Sequence, residues 1–165
     1  MIQFNMSQTL LNLLFLLPIS LFLILGLFAS KQINPERLQK LSNAIPLLAI
    51  LIGVSSAYWI FQYGPIESST LGFYGLGFSL RLDQLSLILF LMVSIIALVV
   101  LRFSFNYLDG DSNKSKFIGQ LATTVALVQL LVLSGNIAIL FLAWFATSMS
   151  LPNYYSSTPT AKRHK

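Results

Sequence analysis

Five long apolar stretches dominate this chain, and among them only Arg102, close to the end of the third, carries a charge. They run from Thr9 to Ala29, Ala44 to Tyr63, Leu85 to Phe105, Phe117 to Leu133 and Ile137 to Leu151. The first, rising about 1.5 Å per residue, is long enough to cross a hydrocarbon core of about 30 Å. No Lys or Arg precedes it, and its apolar run is longer than a signal-peptide core, so it is expected to remain as a helix. Only 9% of the 165 residues are charged, against about a quarter in ordinary soluble domains. So few charges cannot clothe a surface facing water, so lipid is the expected solvent. The fold class that follows is an all-α integral membrane protein of the plasma membrane with about five transmembrane helices.

The polar punctuation supports that division. Asn34-Pro35-Glu36 has the form of a helix start, with Asn34 as N-cap and Pro35 in the first turn. Pro18 falls inside the first span and is expected to kink it. "YWIFQY" closes the second span with aromatic rings of the kind that sit at headgroup level. Between the second and third spans, Gly64 to Asp83 is rich in Gly and Ser and ends in alternating apolar and polar residues. It reads as a short β-hairpin on the outer surface, with an irregular loop as the alternative. Residues 1–151 thus form one transmembrane helical domain. Residues 152–165, "PNYYSSTPTAKRHK" after Leu151, are polar and basic and are expected to be a disordered cytoplasmic tail.

Sidedness follows from the basic residues. With the N-terminus outside, Lys31, Arg37, Lys40, Arg102, Lys114, Lys116, Lys162, Arg163 and Lys165 fall on the cytoplasmic side, and Arg81 alone falls outside. That is the positive-inside pattern, and it predicts N-out and C-in. It also accounts for the net charge of +5 without nucleic acid, because the basic residues are spread over three separate segments rather than one patch. Membrane lipid is the expected partner, and a basic tail attracts anionic lipid.

Chemistry is bounded by absence. The chain has no Cys and a single His, His164, beside the last residue. Neither a thiolate site nor a histidine metal site is expected, and no cofactor or metal is assigned. No Asp, Glu, Lys or His lies at the middle of any span, although ionisable residues within a membrane are the usual marks of proton and ion routes. The polar groups that remain in the spans are neutral: Asn12, Ser55, Ser56, Ser94, Thr147 and Ser148, and a set on the fourth helix. There Gln120, Thr123 and Thr124 share a face at spacings of three and four, while Gln129 lies about 180° away from Gln120. Interhelical hydrogen bonds, worth about 0.6 kcal/mol each, account for them; a hydrated path is the alternative.

Four carboxylate or guanidinium groups stand at helix ends. Arg81 and Asp83 are two apart on a strand-like segment and are placed to pair. Asp83 also stands where a carboxylate caps the third helix and meets its dipole, with pairing to a charge on another subunit as the second role. Asp109 and Asp111 flank Gly110 in a turn; the further ligands of a calcium loop are missing, so a helix-capping turn is expected. No nucleophile–base pair is present, and the chain is not expected to be an enzyme by itself.

The order of these features resembles a known family. Two N-terminal helices, a hairpin-like loop, "LRLDQLSLILFLMVSIIALVVLRFSFNYLDGD", a basic turn and "FIGQLATTVALVQLLVLSGNIAILFLAWF" are similar to the N-terminal part of complex I chain 5 and related cation/proton antiporter subunits. The cues are Asp83 followed by Leu85-Ser86, the aromatic "SFNYLDGD", and Gly135-Asn136 leading to Trp144; the likeness covers roughly residues 5–151. In the proton-pumping relatives the residue after this Trp is a glutamate central to proton transfer, whereas here it is Phe145, whose ring cannot hold a proton. "FLAWFATSMSL" looks more like the membrane subunit of the inorganic carbon accumulation complexes of the DabAB type. That resemblance implies a membrane subunit, or an N-terminal fragment of one, coupling a cation gradient to carbon dioxide or bicarbonate uptake. Its implied partners are a large soluble zinc-bearing subunit or other membrane subunits. A respiratory chain 5-like subunit and a non-transporting membrane scaffold are the other readings. Relatives of this kind continue for many more helices, so the sudden polar tail is expected to mark a truncated or frameshifted copy.

Overall fold

The computed structural model describes residues 2–29, 34–67, 79–111 and 113–150. The expected tail lies outside them, as do Lys31, the Asn12 side chain and the middle of the loop between the second and third spans. Among the described residues five helices are present: α1 (Ile2–Ala29), α2 (Pro35–Tyr63), α3 (Gln84–Tyr107), α4 (Lys114–Val132) and α5 (Ile137–Ser150).

The helices overrun the apolar stretches that seeded them, because nothing stops the backbone ladder at the edge of an apolar run. α1 starts at Ile2 rather than Thr9, and it passes through the buried Pro18 as one uninterrupted element. α2 starts well before its apolar part, at Pro35 rather than Ala44, and Pro35 occupies the first turn; its ring presets φ and its missing N–H is not needed there. Asn34 takes the N-cap position, but its side chain makes no capping bond. At the other end Gly64 adopts φ +85°, a left-handed conformation that favours glycine, and its N–H reaches the Ile60 carbonyl at 2.9 Å.

Two short strands, β1 (Ile66–Glu67) and β2 (Arg81–Leu82), pair antiparallel, with Ile66 opposite Leu82 and Glu67 opposite Arg81. Of the residues that join them, 68–78 lie outside the described structure, and the hairpin expected there is not visible as a whole. A second seam was not foreseen. Leu80 bridges Ser134 in the α4–α5 turn, the Arg81 N–H donates to the Leu133 carbonyl at 3.0 Å, and the Gly135 N–H donates to the Ser79 carbonyl at 2.9 Å. A Cβ on Gly135 would stand 3.1 Å from backbone atoms of Ser79, Leu80 and Arg81, so glycine permits this approach. Leu80 and Leu82 are buried beneath the seam while Arg81 points out.

α4 is the central post, packed on α1, α3 and α5, while α2 packs on α3 and α1. Phe15, Phe22, Phe90, Leu101 and Ile118 fill the core, with Phe15 and Phe90 edge to face at 5.2 Å. Where α1 crosses α4 the contact is made by small residues: a Cβ on Gly119 would lie 2.9 Å from both the Ala29 Cβ and the Gly26 carbonyl oxygen. Lipid offers helices no hydrophobic drive to associate, so such close van der Waals contact is what holds them.

Along the middle of the bundle the outer surface is apolar too. Leu51, Val54, Phe61, Ile88, Ile95, Val99 and Phe103 are all exposed on α2 and α3, and helices apolar all round belong in a core or a bilayer. By length and composition α2, α3 and α4 can each cross a membrane; among the described side chains, Leu13–Ala29 of α1 and Ile137–Ser150 form shorter apolar segments. The 14 described residues of α5 reach only about 21 Å at the helical rise, less than a full hydrocarbon core. The expectation of about five transmembrane helices, the last of them short, is met among the described residues by three helices of spanning length and two shorter apolar ones.

Candidate functional site

The polar groups singled out in the sequence gather at three places. At the start of α3, Asp83 is the N-cap. The Ser86 N–H donates to Asp83 Oδ1 at 2.8 Å, the Asp83 N–H donates to Ser86 Oγ at 2.9 Å, and Ser86 Oγ also donates to Asp83 Oδ1 at 2.6 Å. This reciprocal box satisfies donors that the first turn leaves free. Arg81 Nε stands 3.6 Å from Asp83 Oδ2. The side-chain and backbone bonds from Ser86 hold the Asp83 carboxyl below its ordinary value of 3.8, aided by Arg81 and opposed by partial burial. The role of Ser86 was legible in principle, since Asp-x-x-Ser has the spacing of a capping box.

A prediction follows from the sign of that shift. A carboxylate whose folded pKa is depressed stabilises the fold above its ordinary pKa, and the contribution fades as the pH falls below about 3.8. Asp83→Ala is expected to cost about 1 kcal/mol near neutral pH. Asp83→Asn is expected to keep most of the cap and to lose the acid dependence. Thermal unfolding in detergent between neutral pH and strong acid checks both; an Asn variant with the wild-type acid profile would refute the assignment.

In the α3–α4 turn, the Asn113 N–H donates to Asp111 Oδ1 at 2.9 Å, and Gly110 takes φ +87°. Lys114 Nζ contacts Asp109 Oδ1 at 3.0 Å and lies 3.6 Å from the centre of the Phe105 ring. Asp109 and Asp111 thus shape the turn and anchor Lys114. Among the described residues no group of three or more His, Cys, Asp or Glu side chains is arranged to hold a metal.

On α4 the structure separates residues that the helical wheel had grouped. Thr123 turns to α1, where a Cβ on Gly26 would meet its hydroxyl; Thr124 turns to α5, with its Oγ1 3.4 Å from Ser150 Oγ. Both hydroxyls also donate to carbonyls of their own helix, Gly119 at 3.0 Å and Gln120 at 2.9 Å. Gln120 is half-buried. Adjacent residues differ by about 100° around a helix, and a central helix with three neighbours resolves that difference into different partners. Gln129 is fully buried toward α3: its Nε2 donates to Ser94 Oγ at 3.0 Å, and that hydroxyl donates to the Phe90 carbonyl at 2.7 Å. Its Oε1 has no partner. Ser94 as partner was not legible, because only the stacking of α3 on α4 brings residues so distant in sequence together.

Phe145 lies on the open side of α5, exposed like Trp144 and Phe141, whose rings meet edge to face at 5.9 Å. The position after the tryptophan therefore presents an apolar ring to the surroundings.

Residues 69–118 match the family described as NADH-Ubiquinone oxidoreductase (complex I), chain 5 N-terminus. The chain is 34% identical over 131 residues to the probable inorganic carbon transporter subunit DabB2 of Halothiobacillus neapolitanus, covering 76% of this chain and 24% of that protein. It is 27% identical over 147 residues to NADH-ubiquinone oxidoreductase chain 5 of Acanthamoeba castellanii, covering 83% of this chain and 22% of that one. It is 30% identical over 139 residues to the DabB1 subunit of the same Halothiobacillus, covering 82% and 24%. The chain spans less than a quarter of the length of these relatives. It is a multi-pass membrane protein of the plasma membrane, and it belongs to the superfamily of complex I chain 5 and related antiporter-like membrane subunits, whose N-terminal part it matches.

Proposed function

We propose that this chain serves as a bracing and docking element in a membrane subunit of a cation- or proton-coupled complex, and that the complex takes up inorganic carbon. The observation that carries the reading is the lack of any Asp, Glu, Lys, Arg or His side chain within Ser42–Tyr63, Gln84–Leu101, Ile118–Val132 and Ile137–Ser150. Such helices can line or support a conduit, but those stretches hold no carboxylate, imidazole or amine to relay a proton. The chain is then no catalyst by itself, and it depends on other membrane subunits and on a soluble zinc-bearing partner for chemistry. The similarity to inorganic carbon transporter subunits supports the choice of cargo.

Orientation N-out and C-in belongs to the same proposal. The pairing of β1 with β2, and of β2 with the α4–α5 turn, puts the end of α2, the start of α3 and the end of α4 together. The opposite end then collects Arg37, Lys40, Arg102, Lys114 and Lys116, which supports its facing the cytoplasm.

The test is direct. Purified chain in liposomes under a pH gradient, followed with a trapped pH-sensitive dye, is expected to leak no faster than protein-free liposomes. Robust proton flux through the isolated chain would defeat the bracing role. A respiratory role is the second reading, favoured by the match to a chain 5 protein over most of this chain. Neighbouring genes separate the two: a large soluble protein with a Cys/His/Asp zinc set favours carbon uptake, and respiratory subunits favour the other.

A further inference from the structure

Between α1 and α2 the surface opens into a groove of about 350 Å³. One wall is a stripe of α1 residues, Leu21, Ile24 and Phe28; the other is Leu41 and Ile45 of α2. Arg37 closes one end. Arg37, Leu41 and Ile45 are spaced by four, so they lie along one face of α2 with the guanidinium at the head of an apolar track. Ile24, Phe28 and Leu41 are exposed, so the groove is open along its length rather than sealed by packing.

The two ends of this groove ask for different chemistry. Arg37 lies in the first turn of α2 among exposed Glu36, Gln39 and Lys40, at the aqueous boundary of the bundle. From there the walls run inward and are wholly apolar. Among the described residues no carboxylate pairs with Arg37; the ion pairs seen are Arg81 with Asp83 and Lys114 with Asp109. Lys40 stands one helical turn further along and adds a second cation, and Glu36 is the single acid beside them. A guanidinium is well matched to phosphate oxygens, because its fixed fork of donors meets two of them at once.

We propose that this groove is a binding site for one anionic phospholipid, with its headgroup phosphate on Arg37 and an acyl chain lying between α1 and α2. The assignment stands on the groove itself and does not depend on which cargo or complex the chain serves. Charge complementarity selects the occupant: a second apolar helix would fill the track but leave Arg37 unanswered, and a free anion would answer Arg37 but leave the track empty.

The experiment uses the full chain purified in detergent, offered equal amounts of phosphatidylglycerol and phosphatidylcholine with matched acyl chains, and read by native mass spectrometry. Wild type is expected to retain phosphatidylglycerol about fivefold over phosphatidylcholine, the preference that one cation near an anionic surface supplies. Arg37→Gln is expected to bring the two lipids to parity, with Arg37→Lys restoring part of the preference. Ile24→Trp, at an exposed position on the groove wall, is expected to reduce retention of both lipids. Lys116→Gln, on α4, is expected to change nothing. Equal retention by wild type, a preference that survives Arg37→Gln, or retention unmoved by Ile24→Trp would each overturn the proposal. Displacement of the phospholipid by soluble glycerol phosphate would overturn it too, showing an anion site without the chain groove. Circular dichroism of each variant confirms that the helices persist.

Discussion

Gly119→Leu is expected to separate α1 from α4 and to lower stability by at least the 1–3 kcal/mol typical of overpacking. The reason lies in which atoms are struck. A Cβ at 119 would stand 2.9 Å from the Gly26 carbonyl oxygen and from the Ala29 Cβ, atoms fixed by the backbone of α1 that cannot rotate away. A leucine adds three further carbons beyond that Cβ, so the helices themselves must move, and the close contact that holds helices together in lipid is lost. Gly119→Ala is expected to show a smaller loss of the same sign. Gly53→Ala is the control, since the atoms crowding that position belong chiefly to the Leu91 side chain. That chain can change rotamer, and replacing a helical Gly by Ala returns up to about 1 kcal/mol of propensity, so the net effect is expected near zero. Unfolding by added denaturing detergent, followed by circular dichroism, gives the comparison. A leucine variant as stable as wild type would show that α1 does not seat on α4 in this way.

The second large effect is expected at Gln129, and it separates volume from polarity. Gln129→Ala removes most of a side chain with no exposed surface and leaves a void between α3 and α4; buried large-to-small changes of this kind cost about 2–5 kcal/mol. Gln129→Leu keeps the bulk. It forfeits the bond to Ser94, worth about 0.6 kcal/mol in a membrane bundle, and it also removes the Oε1 atom that has no partner. The Ser94 hydroxyl keeps its bond to the Phe90 carbonyl, so nothing is stranded. The leucine variant is therefore expected within about 1 kcal/mol of wild type, because replacing a poorly satisfied polar group by an apolar one of similar shape is close to neutral. Leucine proving as damaging as alanine would show that the amide is needed as an amide, and would favour a hydrated path over simple interhelical bonding.

Much of the architecture could be read from residue order, and the reason is physical. Lipid imposes one strong demand, that backbone polar groups be satisfied within each segment, so apolar length alone locates the helices. The ends were less legible. Nothing chemical stops α1 at Thr9, and the ladder runs on to Ile2. Asn34 marks the start of α2 by position, while the Pro35 ring provides the stop that its side chain does not. The Asp83 cap could be anticipated because capping is local, with donor and acceptor three residues apart. The fate of the α4 polar residues could not, because a helical wheel gives angles but not neighbours. Only the position of α4 among α1, α3 and α5 sends Thr123, Thr124 and Gln129 to three different partners.

The seam joining Ser79–Leu82 to the α4–α5 turn also governs how force travels. Its bonds tie the peptide just ahead of α3 to the peptide linking α4 and α5. A load applied to the extramembrane strand pair therefore reaches three helices at once, through main-chain atoms rather than through side chains that can slip. A protein docked on that rim would grip the bundle as a handle grips a blade, moving α3, α4 and α5 together instead of tugging one of them loose.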